Sequence, residues 1–307
     1  MGRIDKALSH ASDGPTEIVT VPGAPSSEVF ESPWSFDGAP PSGPTSPDAP
    51  STVPTSPGTA GPMALFRGFN PALAGRIVST PAAPPVLAER FRRLAASLHH
   101  AQLVDGLRTV MVTSADPGDG KTLTSANLAL TLSESYRRQV LLIDADLRRP
   151  SLHDVFNVPN VNGLNEGLKA PSDARLNVIR ISDTLTLLPA GRPDPDPMSS
   201  LTSPRMVEIL QEAAQRFDWI IVDTAPLGLL ADASLLSRIV DKSLLVIRAG
   251  QTPHASVDRA VNALGREHII GVVLNAVEST AGEGAKYYYA RDSETSDSPA
   301  VLPTREG

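Results

Sequence analysis

The stretch that most restricts this chain is residues 108–122, RTVMVTSADPGDGKT. An apolar run ends in a turn carrying Gly118 and Gly120, and a helical pattern begins near Lys121. The spacing is that of a phosphate-binding loop (P-loop), A-x4-GKT, with Ala115 where a first glycine usually stands. Each residue type has a physical reason. The glycines let the backbone turn so that successive N–H groups face phosphate oxygens. The helix start adds its positive end. Lys121 offers a point charge to the β and γ phosphates, and the Thr122 hydroxyl is placed to ligate Mg²⁺. The loop as a whole, Asp116, Pro117, Gly118, Asp119, Gly120, Lys121, Thr122 and Leu123, is therefore the expected cradle for a nucleotide.

A strand that feeds such a loop needs parallel neighbours, and the sequence supplies them. Strands are expected at 108–113, 139–144, 176–181, 185–189, 219–223, 242–248 and 269–275, with helical patterns near 121–135, 204–216, 232–239 and 255–266. The runs at 139–144, 219–223 and 242–248 are almost wholly apolar, as strands buried on both faces require. Alternation of this kind predicts an α/β fold, a P-loop NTPase-like, mostly parallel sheet with helices on both faces. Leu87, Phe91, Leu94 and Leu98 recur at helical spacing ahead of the first strand.

Composition sets the boundaries. Of 29 prolines, 16 fall in residues 1–85. Residues 13–62 are dominated by Pro, Ser, Thr, Gly and Ala, too poor in large apolar side chains to offset the entropy of ordering. Residues 1–79 are thus expected to form a Pro-rich disordered leader. Ile4, Leu8 and Ala11 share one face of a possible short helix near its start, one that forms only on a partner. Residues 80–279 are expected to form the P-loop domain and residues 280–307 a flexible tail. No segment reaches the ~18 apolar residues of a membrane span, and the N-terminus lacks a secretory pattern. A soluble cytoplasmic protein is expected. The net charge of −7 argues against nucleic acid as a partner, because that binding draws on excess Lys and Arg. The absence of Cys excludes disulfides, Cys-ligated zinc and iron–sulfur clusters.

Two further strands end in carboxylates. LLIDADLRRP (141–150) carries Asp144 and Asp146, and WIIVDTAP (219–226) carries Asp223. At i and i+2 on a strand, Asp144 and Asp146 are expected on one face, at the C-terminal sheet edge where ligands bind in open α/β folds. There they can hold Mg²⁺ and take a proton from an attacking hydroxyl, while Asp223 is the expected second anchor of the metal shell. Three of the four tyrosines are consecutive, Tyr287, Tyr288 and Tyr289, in a polar segment suited to presentation rather than packing.

The ordered set A-x4-GKT, LLIDADLRRP and IIVDTAP, together with ERFRRL, LLPAG, TSPRM, VIRAGQTP and GVVLN, resembles the bacterial tyrosine kinase (BY-kinase) family of capsular and exopolysaccharide systems over about residues 80–290. The resemblance implies an ATP- and Mg²⁺-dependent protein-tyrosine autokinase that regulates polysaccharide polymerisation and export. It implies catalytic roles for Lys121, Asp144, Asp146 and Asp223, and metal ligation by Thr122 and the three aspartates. Arg148 and Asn275 would contribute to the nucleotide site, Asn275 near the adenine, and Tyr287, Tyr288 and Tyr289 would be the phosphoacceptors. The partners it implies are a membrane chain-length-determinant protein in trans, which recruits the kinase to the inner face of the membrane, further copies in a homo-oligomer, and a cognate tyrosine phosphatase. There are two departures. The family's E-x-x-R-x-x-R helix reads Glu89, Arg92, Ala95, without its last arginine. The leader also lies outside the family pattern. Two other readings compete, a nucleotide-driven export switch without kinase activity and a partition-type ATPase. The latter carries an extra lysine where this chain has Asp116, and an acid cannot supply charge to a partner's phosphates.

Overall fold

The computed structural model describes residues 34–36, 66–171, 174–228 and 232–277. In chain order the elements are β1 (Trp34–Phe36), α1 (Pro85–Asp105), β2 (Thr109–Ser114), α2 (Lys121–Glu134), β3 (Val140–Asp144), α3 (Leu152–Val155), α4 (Leu164–Lys169), β4 (Leu176–Arg180), β5 (Leu185–Leu188), α5 (Met198–Leu201), α6 (Pro204–Ala214), β6 (Trp219–Asp223), α7 (Asp232–Leu236), β7 (Lys242–Arg248), α8 (His254–Leu264) and β8 (Ile269–Asn275). The strands lie in the order β1-β4-β5-β3-β6-β2-β7-β8. All neighbours are parallel except β4 and β5. The interior position of β2, between β6 and β7, puts the P-loop on the C-terminal sheet edge with strands on both sides.

Side chains alternate across a strand, and here the alternation sorts the core into two layers. Met111, Leu141, Ile143, Ile220, Val222 and Leu245 face one cluster, closed by Met206, Ile209 and Ala213 of α6 and Ala260 and Leu264 of α8. Val110, Val112, Leu142, Ile221 and Leu244 face the other, closed by Ala95 and Leu98 of α1 and by Ala126, Leu128 and Leu132 of α2. Each large apolar side chain buried this way contributes about 1.5–3 kcal/mol. Helix α6 starts where its sequence says it should. Pro204 takes a first-turn position and the Ser203 hydroxyl accepts from the Met206 N–H. Helix α1 stops at Gly106, which adopts φ 71° and returns its N–H to the Gln102 carbonyl.

Three features depart from the sequence expectations. The first is that residues 66–79, expected as part of the leader, pack against the body. Phe66, Phe69 and Phe156 stack edge to face with centroids 5.2–6.2 Å apart, and Leu73, Ile77 and Val78 join the α1/α2 core. A 3₁₀ turn, Pro71–Arg76, is capped by Asn70 through the Ala72 N–H. The apolar residues of this strap follow neither helical nor strand period, which is why it reads as linker. The second is Trp34–Phe36, inside the expected leader, which is a strand parallel to Leu176–Val178. The rest of the leader lies outside the described residues. The third is Ala95, which has no exposed surface. The position of the missing arginine is a core position, inside the apolar cluster of α1 and α2, where a buried guanidinium would be costly. Arg92 and Arg93 pair instead with Glu89, at 3.8 and 3.3 Å. Among the described residues, no helix is long and apolar enough to cross a membrane.

Candidate active site

The P-loop runs from Ser114 to α2, with Gly118 at φ 87° and Gly120 at φ 97°. A Cβ at Gly120 would collide with the Asn275 side-chain amide, so only glycine fits this turn. Asn275 itself donates to the Asp119 carbonyl at 2.8 Å. The buried Asp119 carboxylate accepts from the Asp116 N–H (2.9 Å) and the Thr252 hydroxyl (2.7 Å). Loop and sheet edge are thereby locked together before any ligand arrives. The N–H groups of Lys121 and Thr122, in the first turn of α2, have no intrahelical acceptor and are available to an anion.

Asp144 and Asp223 end neighbouring strands in register. The Lys121 ammonium lies 2.8 Å from Asp146 Oδ2 and 3.6 Å from Asp223 Oδ2. Thr122 donates its hydroxyl to Asp223 Oδ2 at 2.8 Å and sits 2.9 Å from the Ser151 hydroxyl. Ser125 donates to Asp223 Oδ1 at 3.0 Å. β3 ends at Asp144, so Asp146 lies in the loop beyond the strand and not on it. Asp144 instead accepts backbone N–H groups from Ser151, Leu152 and Asp146 at 2.9–3.2 Å. It thereby folds the loop that carries Asp146 to Lys121.

The electrostatics follow from burial. Removal from water, with Asp223 nearby, pushes the Asp144 carboxyl up to about 8. Burial also raises Asp223, against the opposing pull of Lys121. For Lys121, burial acts to lower the pKa, but Asp223 and Asp146 outweigh it and push the ammonium up to about 12. Three acidic side chains thus crowd the Lys121 ammonium, beside a cavity that Arg76, Arg148 and Arg149 also line. The oxygens there are those of hydroxyls and carboxylates, which suit a hard cation. Among the described residues, no three His, Cys, Asp or Glu side chains form a cage for a metal by themselves.

Two cavities flank the loop. One, of about 600 Å³, is lined by Lys121, Thr122, Asp146 and Ser151. The other, of about 420 Å³, is lined by Leu123, Asn127 and Asn275 with Leu87 and Phe91 of α1. Arg148 borders the first, but its guanidinium is held by Asp232, with Nε to Oδ2 at 2.7 Å and Nη2 to Oδ1 at 3.4 Å, and by the Pro195 carbonyl. It ties the β3 loop to α7. Ser125, Ser151, Thr252 and Asp232 were not singled out from sequence. Each is an isolated polar residue far along the chain from its partner, with no spacing to betray it. Tyr287, Tyr288 and Tyr289 lie outside the described residues.

Comparison with known proteins agrees with this geometry. Residues 110–303 match the family described as the CobQ/CobB/MinD/ParA nucleotide binding domain. The chain is 31% identical over 234 residues to the tyrosine-protein kinase YwqD of Bacillus subtilis (strain 168), covering 75% of this chain and 98% of that protein. A putative tyrosine-protein kinase, CapB of Staphylococcus aureus, is 29% identical over 210 residues, covering 67% and 91%. Among solved structures, the kinase domain of Escherichia coli tyrosine kinase ETK matches with TM-score 0.59 and 34% identity, over 64% of this chain and 78% of that one.

Proposed function

Because this chain belongs to the bacterial tyrosine-kinase family, on a CobQ/CobB/MinD/ParA nucleotide-binding domain, we infer that its P-loop edge transfers the γ-phosphoryl group of ATP to protein tyrosine. The observation that carries this reading is the bracketing of Lys121 by Asp146 and Asp223 beside the Thr122 hydroxyl. Phosphoryl transfer asks a protein chiefly for positioned charge. In this reading residues 116–123 cradle the phosphates through their backbone, and Lys121 exchanges its carboxylate contacts for the β and γ oxygens. Asp146, freed by that exchange, accepts the tyrosine proton as the phenolic oxygen bonds to phosphorus and the bond to the ADP oxygen breaks. Asp144 is a positioning residue, acting through the loop it holds. Thr122, Asp146 and Asp223 would hold Mg²⁺ together with the phosphates, as expected for an ion that takes one or two carboxylates plus substrate oxygens. When bound, it neutralises charge on those oxygens. Asn275 and Leu123 border the side where the base would sit.

The acceptors in this reading are Tyr287, Tyr288 and Tyr289. Asn275 ends β8 against the P-loop, and twelve further residues reach about 40 Å at full extension, enough for the chain's own site or a neighbour's. Phosphates added there bring about −1.5 to −2 charge each, which sets the tail against Asp146 and Asp223. The resemblance to polysaccharide-system kinases supports a regulatory role in polysaccharide polymerisation and export. It also supports recruitment from the cytoplasm to the inner membrane face by a chain-length-determinant protein, homo-oligomerisation, and reversal by a tyrosine phosphatase. Incubating the full chain with radiolabelled ATP, followed by phosphoamino-acid analysis, tests the reading. Phosphotyrosine is expected, and changing all three tail tyrosines to Phe should remove most of it while ATP hydrolysis continues. Label on Ser, Thr or mainly on Tyr136 would overturn it.

A further inference from the structure

We propose that Arg76, delivered by the strap ahead of α1, is a nucleotide-binding residue that grips the phosphate chain of ATP from the side opposite Asp146. Arg76 closes the 3₁₀ turn Pro71–Arg76 and is exposed. It lines both cavities, together with Gly118, Gly120 and Leu123 of the P-loop. It therefore stands where a molecule lying across the loop must pass. No hydrogen bond or ion pair engages its guanidinium among the described residues. That distinguishes it from Arg148, whose guanidinium is spent on Asp232.

Its backbone, by contrast, is fixed with care. Asn127, buried on the P-loop helix, donates to the Arg76 carbonyl at 2.8 Å and accepts from the Val78 N–H at 2.9 Å. Ile77 between them has no exposed surface. The aromatic trio Phe66, Phe69 and Phe156 and the bond from Asn70 N–H to the Val155 carbonyl (3.0 Å) anchor the other end of the strap. A side-chain amide on α2 that holds the backbone on both sides of Ile77 fixes the chain leaving Arg76 relative to Lys121, six residues earlier on the same helix. A planar, permanently charged fork with five N–H donors is suited to phosphate oxygens, where Lys121 supplies only a point charge. The Lys121 ammonium is already paired with Asp146 and Asp223, which gives the guanidinium a function once a triphosphate is bound.

This proposal rests on the nucleotide-site reading above, and the test separates the two. Fluorescent-ATP titration of the full chain, with ATP, ADP and adenosine as competitors, is run on wild type, Arg76→Ala and Arg76→Lys. Arg76→Ala should weaken ATP and ADP by about 10- to 100-fold, the usual loss for hydrogen bonds to a charged group, and leave adenosine within twofold. Arg76→Lys should recover only part of the loss, and melting temperatures should match, since the side chain is exposed. If wild type itself fails to bind ATP, the nucleotide-site reading falls. If wild type binds and Arg76→Ala binds equally well, or loses adenosine as much as ATP, the phosphate role of Arg76 is overturned.

Discussion

The two flanks of the P-loop are built of different material. On the β3/β6 side the working groups are buried: Asp144 and Asp223 have no exposed surface and Asp146 has 4%. Asp144 and Asp223 sit on strand ends fixed by backbone pairing, Asp146 lies in the loop that Asp144 holds, and every oxygen of Asp144 and Asp223 is engaged. On the strap/α1 side the charged residues Arg76 and Arg90 are exposed, and the wall is made by irregular chain and one face of a helix. Buried charge interacts strongly and cannot be rearranged cheaply, so the first flank suits chemistry that must not vary. Exposed charge is weaker and adjustable, so the second suits recognition. The contrast predicts that lesions on the first flank abolish transfer, whereas lesions on the second weaken binding and spare the chemistry.

The hardest test of the contrast is Lys121→Ala, which leaves Asp146 and Asp223 facing each other without their ammonium. Phosphotyrosine formation should fall by about 10³–10⁵-fold, with weaker ATP binding, as single-turnover assays would record. Substantial autophosphorylation by this variant would remove Lys121 from the mechanism. A sharper cut is Asp146→Asn. If Asp146 takes the tyrosine proton, transfer should drop about 10²–10⁴-fold while ATP affinity stays near wild type. A parallel fall in both would leave Asp146 a ligand and not a base.

The mildest effect is on stability. The Asp144 carboxyl, pushed up to about 8 chiefly by burial, keeps a proton in the folded protein that the unfolded chain gives up above its ordinary value of 3.8. The folded state therefore binds more protons between those limits, and stability of the nucleotide-free protein should decline as pH rises from about 4 to 8. Asp144→Asn should flatten that decline. Thermal melts across this window that fall as steeply in the variant as in wild type would exclude Asp144 as the source.

What was legible in the sequence tracks the same divide. β6, β7 and β8 fall on the expected residues because each is dominated by large apolar residues and ended by Asp223, Arg248 or Asn275. The P-loop and the acids at the strand ends could be read because local spacing alone places them. The division of labour between Asp144 and Asp146 could not, because it depends on where β3 stops and on N–H groups seven and eight residues further along. Helices α3, α4 and α5 are four to six residues long and leave no measurable period. The strap escaped because Phe66, Phe69, Leu73 and Ile77 are spaced for the contours of Phe156 and α2, not for any regular element.

The placement of β2 has a consequence for how the molecule comes into being. Its hydrogen-bonding partners are β6 and β7, and Val110 pairs with Ile221 on one side and Lys242 on the other. A ribosome adding about 5–20 residues per second finishes β2 long before either neighbour exists. For roughly 5–25 s a strand that is wholly buried in the finished sheet, and the loop behind it, has no template to join. The nascent chain must hold or be helped through that interval, and the nucleotide cradle closes only once β7 has left the exit tunnel.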